Sequence, residues 1–115
     1  MAIEQNIAVR DDLGEGMLVV RPMGDVDMSR SPDLRVALRT AHERRPMKLI
    51  VDLEDVGYMD SSGLATLVES MRTAKGNKTN MVLCAMNDKV RAIFEIARLH
   101  QFFTIVDTLD DAVGA

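Results

Sequence analysis

Short apolar runs alternate with segments of helical periodicity along most of this 115-residue chain. Residues 49–51 and 81–85 are apolar without polar alternation, which is typical of strands that are covered on both faces. Between and after them, apolar residues recur at helical spacing, as at Leu64, Leu67 and Met71. Strands that alternate with helices in this way predict an α/β fold with a largely parallel sheet.

The first part of the chain predicts a β-hairpin. Residues 3–9 alternate loosely as in a strand, residues 11–16 form a turn rich in Asp and Gly, and residues 17–20 form a second strand that ends near Pro22. Two strands joined so closely must run antiparallel. The predicted sheet is therefore mixed, mostly parallel with an opening antiparallel hairpin.

Capping and stop signals predict about four helices in a single domain. Ser31 is a candidate N-cap followed by Pro32 at the first helical position, and Asn87 and Thr108 are further N-cap candidates. A chain of this length supports one hydrophobic core but not two, so we expect one domain over the whole chain with its core at about 3–113. The remaining predicted bounds are strands at 48–53, 81–85 and 103–106 and a helix at 62–75 that Gly76 stops.

Charge and composition exclude several classes of function. A formal net charge of −4 argues against nucleic-acid binding, which usually needs a basic face, and Arg44-Arg45 is interpreted as the solvated end of a helix. No apolar stretch approaches the roughly 20 residues that a membrane span needs, and the first residues lack a secretory signal. The single cysteine, Cys84, suits a reducing compartment. We therefore expect a cytoplasmic protein whose partners include no nucleic acid and no membrane.

The most informative segment is the strand-to-helix turn at residues 56–64. It carries Asp60, Ser61, Ser62 and Gly63 between an apolar strand and an amphipathic helix. Two hydroxyls therefore lie at the positive end of a helix dipole. Backbone N–H groups lack intrahelical partners there, and an added phosphate is electrostatically tolerated.

A second acidic segment, Gly-Asp-Val-Asp at residues 24–27, also follows a predicted strand, and sites in such sheets favour the carboxyl ends of strands. Together the two segments resemble the STAS domain family, specifically the bacterial anti-sigma factor antagonists. The family's Asp-Ser-Ser/Thr-Gly turn matches residues 60–63. Its common Gly-Glu-Leu-Asp segment matches residues 24–27, with Asp25 and Val26 in place of Glu and Leu. The resemblance covers nearly the whole chain, including the order of strands and helices.

The resemblance implies a phosphorylation-controlled partner switch. It assigns the phosphate to Ser61, leaves Ser62 as a cap or helper, and puts Asp27 beside the modified hydroxyl, where a carboxylate can hydrogen-bond and orient it. The dephosphorylated form would bind an anti-sigma factor that is also an ATP-dependent, GHKL-type serine kinase, and a PP2C-type phosphatase would restore that form. Supporting or partner-binding roles are expected for the neighbours of Ser61, namely Asp25, Asp27, Tyr58, Met59, Asp60, Ser62 and Gly63.

Other interpretations of these residues remain open. Ser61 and Ser62 could both simply cap the helix, and Asp27 could close an Asx-type turn. Tyr58 and Met59 are as compatible with burial beneath the turn as with exposure. A different class of function is a STAS scaffold subunit in a sensing complex or a membrane lipid-transport complex, whose members often lack an intact phosphorylatable turn.

A serine hydrolase is a further alternative, which the placement of the histidines disfavours. A serine nucleophile needs a nearby base, but His42 falls near the C-terminal end of one predicted helix and His100 just past another, and those ends belong to the opposite edge of the sheet. The sequence also lacks a G-x-S-x-G elbow, metal-ligand spacing and a phosphate-binding G-x-x-x-x-G-K-[ST] loop. We therefore predict a kinase substrate rather than an enzyme, with no metal and no cofactor.

Overall fold

The computed structural model describes residues 8–115, with side chains described from residue 12 onward. Residues 3–7 of the strand predicted at residues 3–9 therefore lie outside the described residues, and residues 8 and 9 are in a strand. In the described part, strands and helices alternate after an opening pair of strands. The elements are β1 (Ala8–Gly14), β2 (Met17–Pro22), α1 (Ser31–Glu43), β3 (Lys48–Asp52), α2 (Ser61–Asn77), β4 (Asn80–Cys84), α3 (Asp88–Ile96), β5 (Thr104–Val106) and α4 (Leu109–Gly114).

The strands form one mixed sheet in the order β1-β2-β3-β4-β5. β1 pairs antiparallel with β2, and each later neighbour pairs parallel, with Leu18 opposite Leu49 and Ile50 opposite Val82. This confirms the predicted α/β fold with an opening antiparallel hairpin. The parallel crossovers proceed in one direction across the sheet, and α1, α2 and α3 pack into one hydrophobic cluster on the same face, as the general preference for right-handed crossovers predicts.

Alternation along the strands gives each face of the sheet its own hydrophobic cluster. The larger cluster packs α1, α2 and α3 against one face, with Leu34, Leu67 and Phe94 fully buried. The smaller cluster joins the other face to α4, and it contains Cys84. Burial, followed by the charge of Asp52, raises the pKa of the Cys84 thiol to about 12, so this cysteine is a core side chain rather than a reactive one.

The hairpin is tighter than the predicted turn at residues 11–16. β1 continues to Gly14, with a register shift between Asp12 and Gly14, and only Glu15 and Gly16 form the turn. Gly14, Glu15 and Gly16 all have positive φ angles of 78°, 56° and 78°. Left-handed backbone at successive positions reverses the chain within two residues, so the acidic residues before it remain in the strand.

The predicted N-cap at Ser31 is wrong. The N-cap of α1 is Arg30, which makes no side-chain capping bond, and Ser31 is a buried first residue of the helix. The carbonyl of Asp27 accepts hydrogen bonds from the amides of Arg30 and Ser31 at 3.0 and 2.8 Å. A backbone turn therefore satisfies the helix start without a capping side chain.

The predicted stop at Gly76 is also wrong. α2 runs through Gly76 to Asn77, and Lys78 ends it in the left-handed conformation with φ 61°. The N-caps at Asn87 and Thr108 are confirmed, with oxygens that accept from the amides of Val90 at 2.8 Å and Asp111 at 3.0 Å. A strong cap side chain predicts a helix start better than a glycine predicts a helix end, because any residue can adopt the left-handed cap at some cost.

The end of α1 is solvated, as predicted for Arg44-Arg45. Both arginines are exposed, and they donate to Asp12 at 2.8 Å and to Asn77 at 3.0 Å. Within residues 8–115, none of the helices is both long enough and apolar enough to cross a membrane.

Candidate functional site

The two segments singled out in the sequence lie side by side at the carboxyl edge of the sheet. Val26 and Met59 form a parallel β-bridge beyond the ends of β2 and β3. The amide of Val26 donates to the carbonyl of Tyr58 at 2.9 Å, and the amide of Asp60 donates to the carbonyl of Val26 at 3.1 Å. The position of one turn therefore fixes the position of the other.

Asp60 is the N-cap of α2. Its Oδ1 accepts from the amides of Ser62 at 2.8 Å and Gly63 at 3.4 Å, and from the hydroxyl of Ser62 at 2.6 Å. The hydrogen bond from the Ser62 hydroxyl is the largest cause that holds the pKa of Asp60 below its usual value, and a hydrogen bond from the backbone amide of Met28 adds to it. The interpretation of Ser61 and Ser62 as the caps is therefore wrong, and the Ser62 hydroxyl instead donates a hydrogen bond to the capping carboxylate of Asp60.

Ser61 is the first residue of α2, and it is exposed. Its hydroxyl forms no hydrogen bond with any residue that the structure describes, whereas the neighbouring Ser62 hydroxyl is tied to Asp60. An unengaged hydroxyl at the surface is accessible to an incoming phosphoryl donor without local unfolding. The local geometry therefore distinguishes two adjacent serines that are chemically identical.

Asp27 forms the Asx-type turn that the sequence left open as an alternative. Its Oδ1 accepts from the amide of Ser29 at 3.0 Å and from the Ser29 hydroxyl at 2.7 Å. The Ser29 hydroxyl is the largest cause that lowers the pKa of Asp27, while the nearby charge of Asp60 opposes that shift. The expected hydrogen bond to Ser61 is not formed in this structure. Asp27 instead builds the turn into α1 and adds a negative charge beside Asp60.

Two predicted contact residues are packing residues. Met59 is fully buried beneath the turn, which is one of the two placements that the sequence left open for it. A Cβ added at the buried Gly63 would lie 2.7 Å from Met59 Cγ and 2.9 Å from Val26 Cγ1. Gly63 is therefore required where α2 crosses the β-bridge closely. By contrast, Tyr58 is 47% exposed and Asp25 is exposed.

Sequence reasoning missed that α3 lies beside Ser61 and forms a groove with the start of α2. An open groove runs between the start of α2 and the end of α3, and we call it the α2–α3 groove. One signal was visible: Ile96 lies two residues beyond Phe94, on the face opposite the buried one, and is 82% exposed. The groove is lined by Tyr58, Met59, Asp60, Ser61, Leu64, Ile93, Ile96 and Ala97.

Both histidines lie away from Ser61, since His42 contacts the middle of α2 and His100 follows α3. His42 Nε2 is 2.9 Å from the Ser70 hydroxyl, nine residues and roughly 13 Å along the helix from Ser61. His100 is exposed and lies two residues before Phe102, whose ring lies under the Lys75 ammonium at 4.7 Å. The described residues contain no group of three His, Cys, Asp or Glu side chains that could hold a metal ion. Neither histidine is placed to act as a base for Ser61.

The chain is similar to known proteins over nearly its whole length. The family model described as the STAS domain matches residues 6–112. The anti-sigma-B factor antagonist of Listeria monocytogenes is 29% identical over 82 residues, which cover 71% of this chain and 72% of that protein. The anti-sigma F factor antagonist of Paenibacillus polymyxa is 25% identical over 103 residues, covering 89% and 88%. The crystal structure of an anti-sigma factor antagonist from Mycobacterium paratuberculosis matches with a TM-score of 0.85 and 26% identity, covering 93% and 90%.

Proposed function

The chain belongs to the STAS domain family, and from that premise we propose that it is an anti-sigma factor antagonist controlled by phosphorylation of Ser61. The observation that carries the proposal is the exposed Ser61 at the start of α2, beside a β-bridge that joins both family segments. The names of the similar curated proteins support the same class of regulator. The unmodified chain binds an anti-sigma factor, and phosphorylation of Ser61 releases it.

Charge at the site gives the switch its physical basis. A phosphoserine adds about −1.5 to −2 charges at pH 7. Asp60 and Asp27 already put two carboxylates of lowered pKa at this edge. Because the Asp60 side chain occupies the amides of Ser62 and Gly63, those two donors are not available to neutralise the phosphate. The new charge therefore stays at the surface, where a partner would have to desolvate it.

The proposed partners follow from that chemistry. The anti-sigma factor is itself an ATP-binding serine kinase of the GHKL type, and a PP2C-type phosphatase removes the phosphate. The chain is a substrate in both reactions and supplies no catalytic group. A cytoplasmic location is proposed with these partners, because ATP and the transcription machinery are found there.

Phosphopeptide mapping tests the proposal directly. The purified chain is incubated with a GHKL-type serine kinase and ATP, alongside Ser61→Ala and the matched control Ser62→Ala. We expect the label on Ser61, none in Ser61→Ala, and modification of Ser62→Ala at Ser61. Label that remains on Ser62 in the Ser61→Ala variant would contradict the assignment.

Calorimetric titration then tests the switch. We expect the unmodified chain to bind the kinase tightly and the phosphorylated chain to bind at least about a hundredfold more weakly, which corresponds to roughly 2.7 kcal/mol. Ser61→Glu should weaken binding only partly, because a carboxylate carries less charge than a phosphate. Ser61→Ala should bind and resist release by ATP. Equal affinities for both forms would favour a scaffold subunit instead.

A further inference from the structure

The segment between β3 and Ser61 is held to the β2–α1 connection by backbone hydrogen bonds. The carbonyls of Asp55 and Tyr58 each accept at 2.9 Å from a backbone amide, those of Gly24 and Val26 respectively. These two carbonyls lie three residues apart in the segment. Main-chain contacts therefore fix both ends of a short row of carbonyls, and no side-chain substitution removes those contacts directly.

The side chain of the α3 N-cap holds the middle of the same row. Asn87 Nδ2 donates to the carbonyls of Val56 and Gly57, both at 3.2 Å. Its Oδ1 accepts from the amide of Val90 at 2.8 Å, which caps α3. A backbone amide can only donate and a carbonyl can only accept, so these partners fix which way the side-chain amide points. One side chain therefore starts α3 and ties it to the segment that precedes Ser61.

We infer that Asn87 is a positioning residue for Ser61, because its side-chain amide fixes the phosphoacceptor turn against the start of α3. This inference rests on the proposed function. Capping alone does not require asparagine, since aspartate and serine cap a helix about as well through one oxygen. Asparagine adds two N–H donors on an equally short side chain, and both are used here. Gly57 lies four residues before Ser61, so the tie acts next to the β-bridge at Met59.

Phosphoryl transfer makes the position of Ser61 decisive. Catalysis of this reaction is almost entirely positioning and electrostatic stabilisation, and a misplacement of about 1 Å can cost roughly a hundredfold in rate. Ser61 is exposed at the first position of α2, so the backbone that carries it sets its place. Freeing the carbonyls of Val56 and Gly57 would let that backbone fluctuate. The aligned fraction of Ser61 would then fall without any change at Ser61 itself.

Two substitutions remove the donors and keep the cap. Asn87→Ser and Asn87→Asp each retain an oxygen that accepts from the amide of Val90, but neither has an amide group for the two carbonyls. The serine variant is neutral, so an effect that both variants share belongs to the lost hydrogen bonds and not to an added charge. Thr108→Ala is the control, because it removes the cap of α4, which packs in the other hydrophobic cluster. Thermal unfolding of each variant confirms that the fold is retained.

Single-turnover phosphorylation at saturating kinase measures transfer separately from binding. The probe is a purified GHKL-type serine kinase with ATP. We expect Asn87→Ser to lower the rate at Ser61 by about threefold or more and Asn87→Asp by at least as much, while Thr108→Ala changes it by less than about twofold. Equal rates for Asn87→Ser and the unmodified chain would overturn the inference. Absence of label on Ser61 in the unmodified chain would instead overturn the proposed function, and the inference with it.

Amide hydrogen exchange adds a readout that a general loss of stability would not reproduce. In both Asn87 variants the amides of Val26 and Asp60, which join the two turns, should exchange faster by about threefold or more. The amide of Val90 should stay protected, because its cap remains. Unchanged exchange at Val26 and Asp60, or an equal increase at the core strand residue Ile50, would reduce Asn87 to a cap and overturn the inference.

Discussion

Among single residues, Gly63 shows most directly how packing overrides intrinsic propensity. A glycine in a helix normally costs about 0.5–1 kcal/mol relative to alanine, so Gly63→Ala would stabilise an open helix. Here the added Cβ would lie 2.7 Å from Met59 Cγ and 2.9 Å from Val26 Cγ1. We expect the overpacking, typically 1–3 kcal/mol, to dominate and lower the unfolding free energy. Chemical denaturation measures the change.

Gly76 provides the matched control in the same helix. It also lies inside α2, and a Cβ added there would meet no atom within 4 Å. We expect Gly76→Ala to raise the unfolding free energy by about 0.5–1 kcal/mol. Stabilisation by both substitutions would show that the contact between α2 and the β-bridge is looser than the structure indicates.

A second residue-scale prediction separates the two roles of Asp27. Asp27→Asn keeps an oxygen that can accept from the amide and hydroxyl of Ser29, but it removes the charge beside Asp60. We expect this variant to unfold like the unmodified chain in thermal denaturation while its rate of phosphorylation at Ser61 changes. Asp27→Ala should lose stability as well, because the turn loses its acceptor. An unchanged phosphorylation rate in Asp27→Asn would show that Asp27 is purely structural.

Among the elements, the contact between α1 and α2 contains a buried histidine. His42 is 4% exposed, and its Nε2 lies 2.9 Å from the Ser70 hydroxyl, which donates to the sulfur of Met81 at 3.5 Å. Within the described part of the chain, His42 Nδ1 is buried without a hydrogen-bond partner. A proton on Nδ1 would therefore create an unpaired buried cation, and burial lowers the pKa of His42 below 6.5.

This lowered pKa predicts how stability depends on pH. As the pH falls, the unfolded chain binds a proton at His42 at a higher pH than the folded chain does. The unfolding free energy is therefore highest above about pH 6.5 and decreases as the pH falls below that value. The decrease ends once the folded protein is protonated as well. Glu69, whose pKa the Arg39 and Arg35 side chains lower, titrates below its ordinary 4.5 and so outside this window. Chemical denaturation between about pH 5 and 7 measures the effect.

His42→Gln is the control for this pH dependence. An amide can still hydrogen-bond to Ser70 but does not titrate, so the variant should unfold with a flat pH profile between about pH 5 and 7. An equal slope in both proteins would assign the dependence to other groups.

Element boundaries were predictable where one side chain decides them. Asn87 and Thr108 each supply the capping oxygen themselves, so the sequence alone located both helix starts. The predicted N-cap of α1 was wrong because a backbone turn at Asp27, and not a capping side chain, accepts hydrogen bonds from the first amides of the helix. The predicted end of α2 was wrong because Lys78 adopts the left-handed conformation after the helix, although lysine has no intrinsic preference for that conformation. Backbone hydrogen bonds and tolerated strain leave no mark in the sequence pattern.

At the scale of the whole molecule, the sequence predicted the two turns of the site but not the helix that lies beside them. Residues 24–27 and 60–63 were placed together because both follow parallel strands, and the β-bridge between Val26 and Met59 joins them. The helix α3 is separated from Ser61 along the chain by the rest of α2, by β4 and by two connections. Its arrival beside Ser61 depends on how helices pack on the sheet, so residue patterns could not predict Ile96 as part of the groove.

The fold also predicts what phosphorylation does to the molecule as a whole. Ser61 is exposed at the positive end of the α2 dipole, which favours a phosphate, while Asp60 and Asp27 repel it. These effects oppose each other at the solvated surface, and no buried contact is broken. We therefore expect the unfolding free energies of the phosphorylated and unmodified chains to differ by less than about 1 kcal/mol. Affinity for the kinase should nevertheless fall at least about a hundredfold.

Chemical denaturation of the two forms, with Ser61→Ala as the control for the serine itself, measures the first quantity, and titration measures the second. A large loss of affinity without a loss of stability would mean that the phosphate acts at the interface between two folded proteins. If the phosphorylated chain is instead destabilised by several kcal/mol, the switch operates by rearranging the start of α2, and the surface described here is not its only site of action. Raising the salt concentration provides a further check, because repulsion at an exposed edge is screened and the loss of affinity should become smaller.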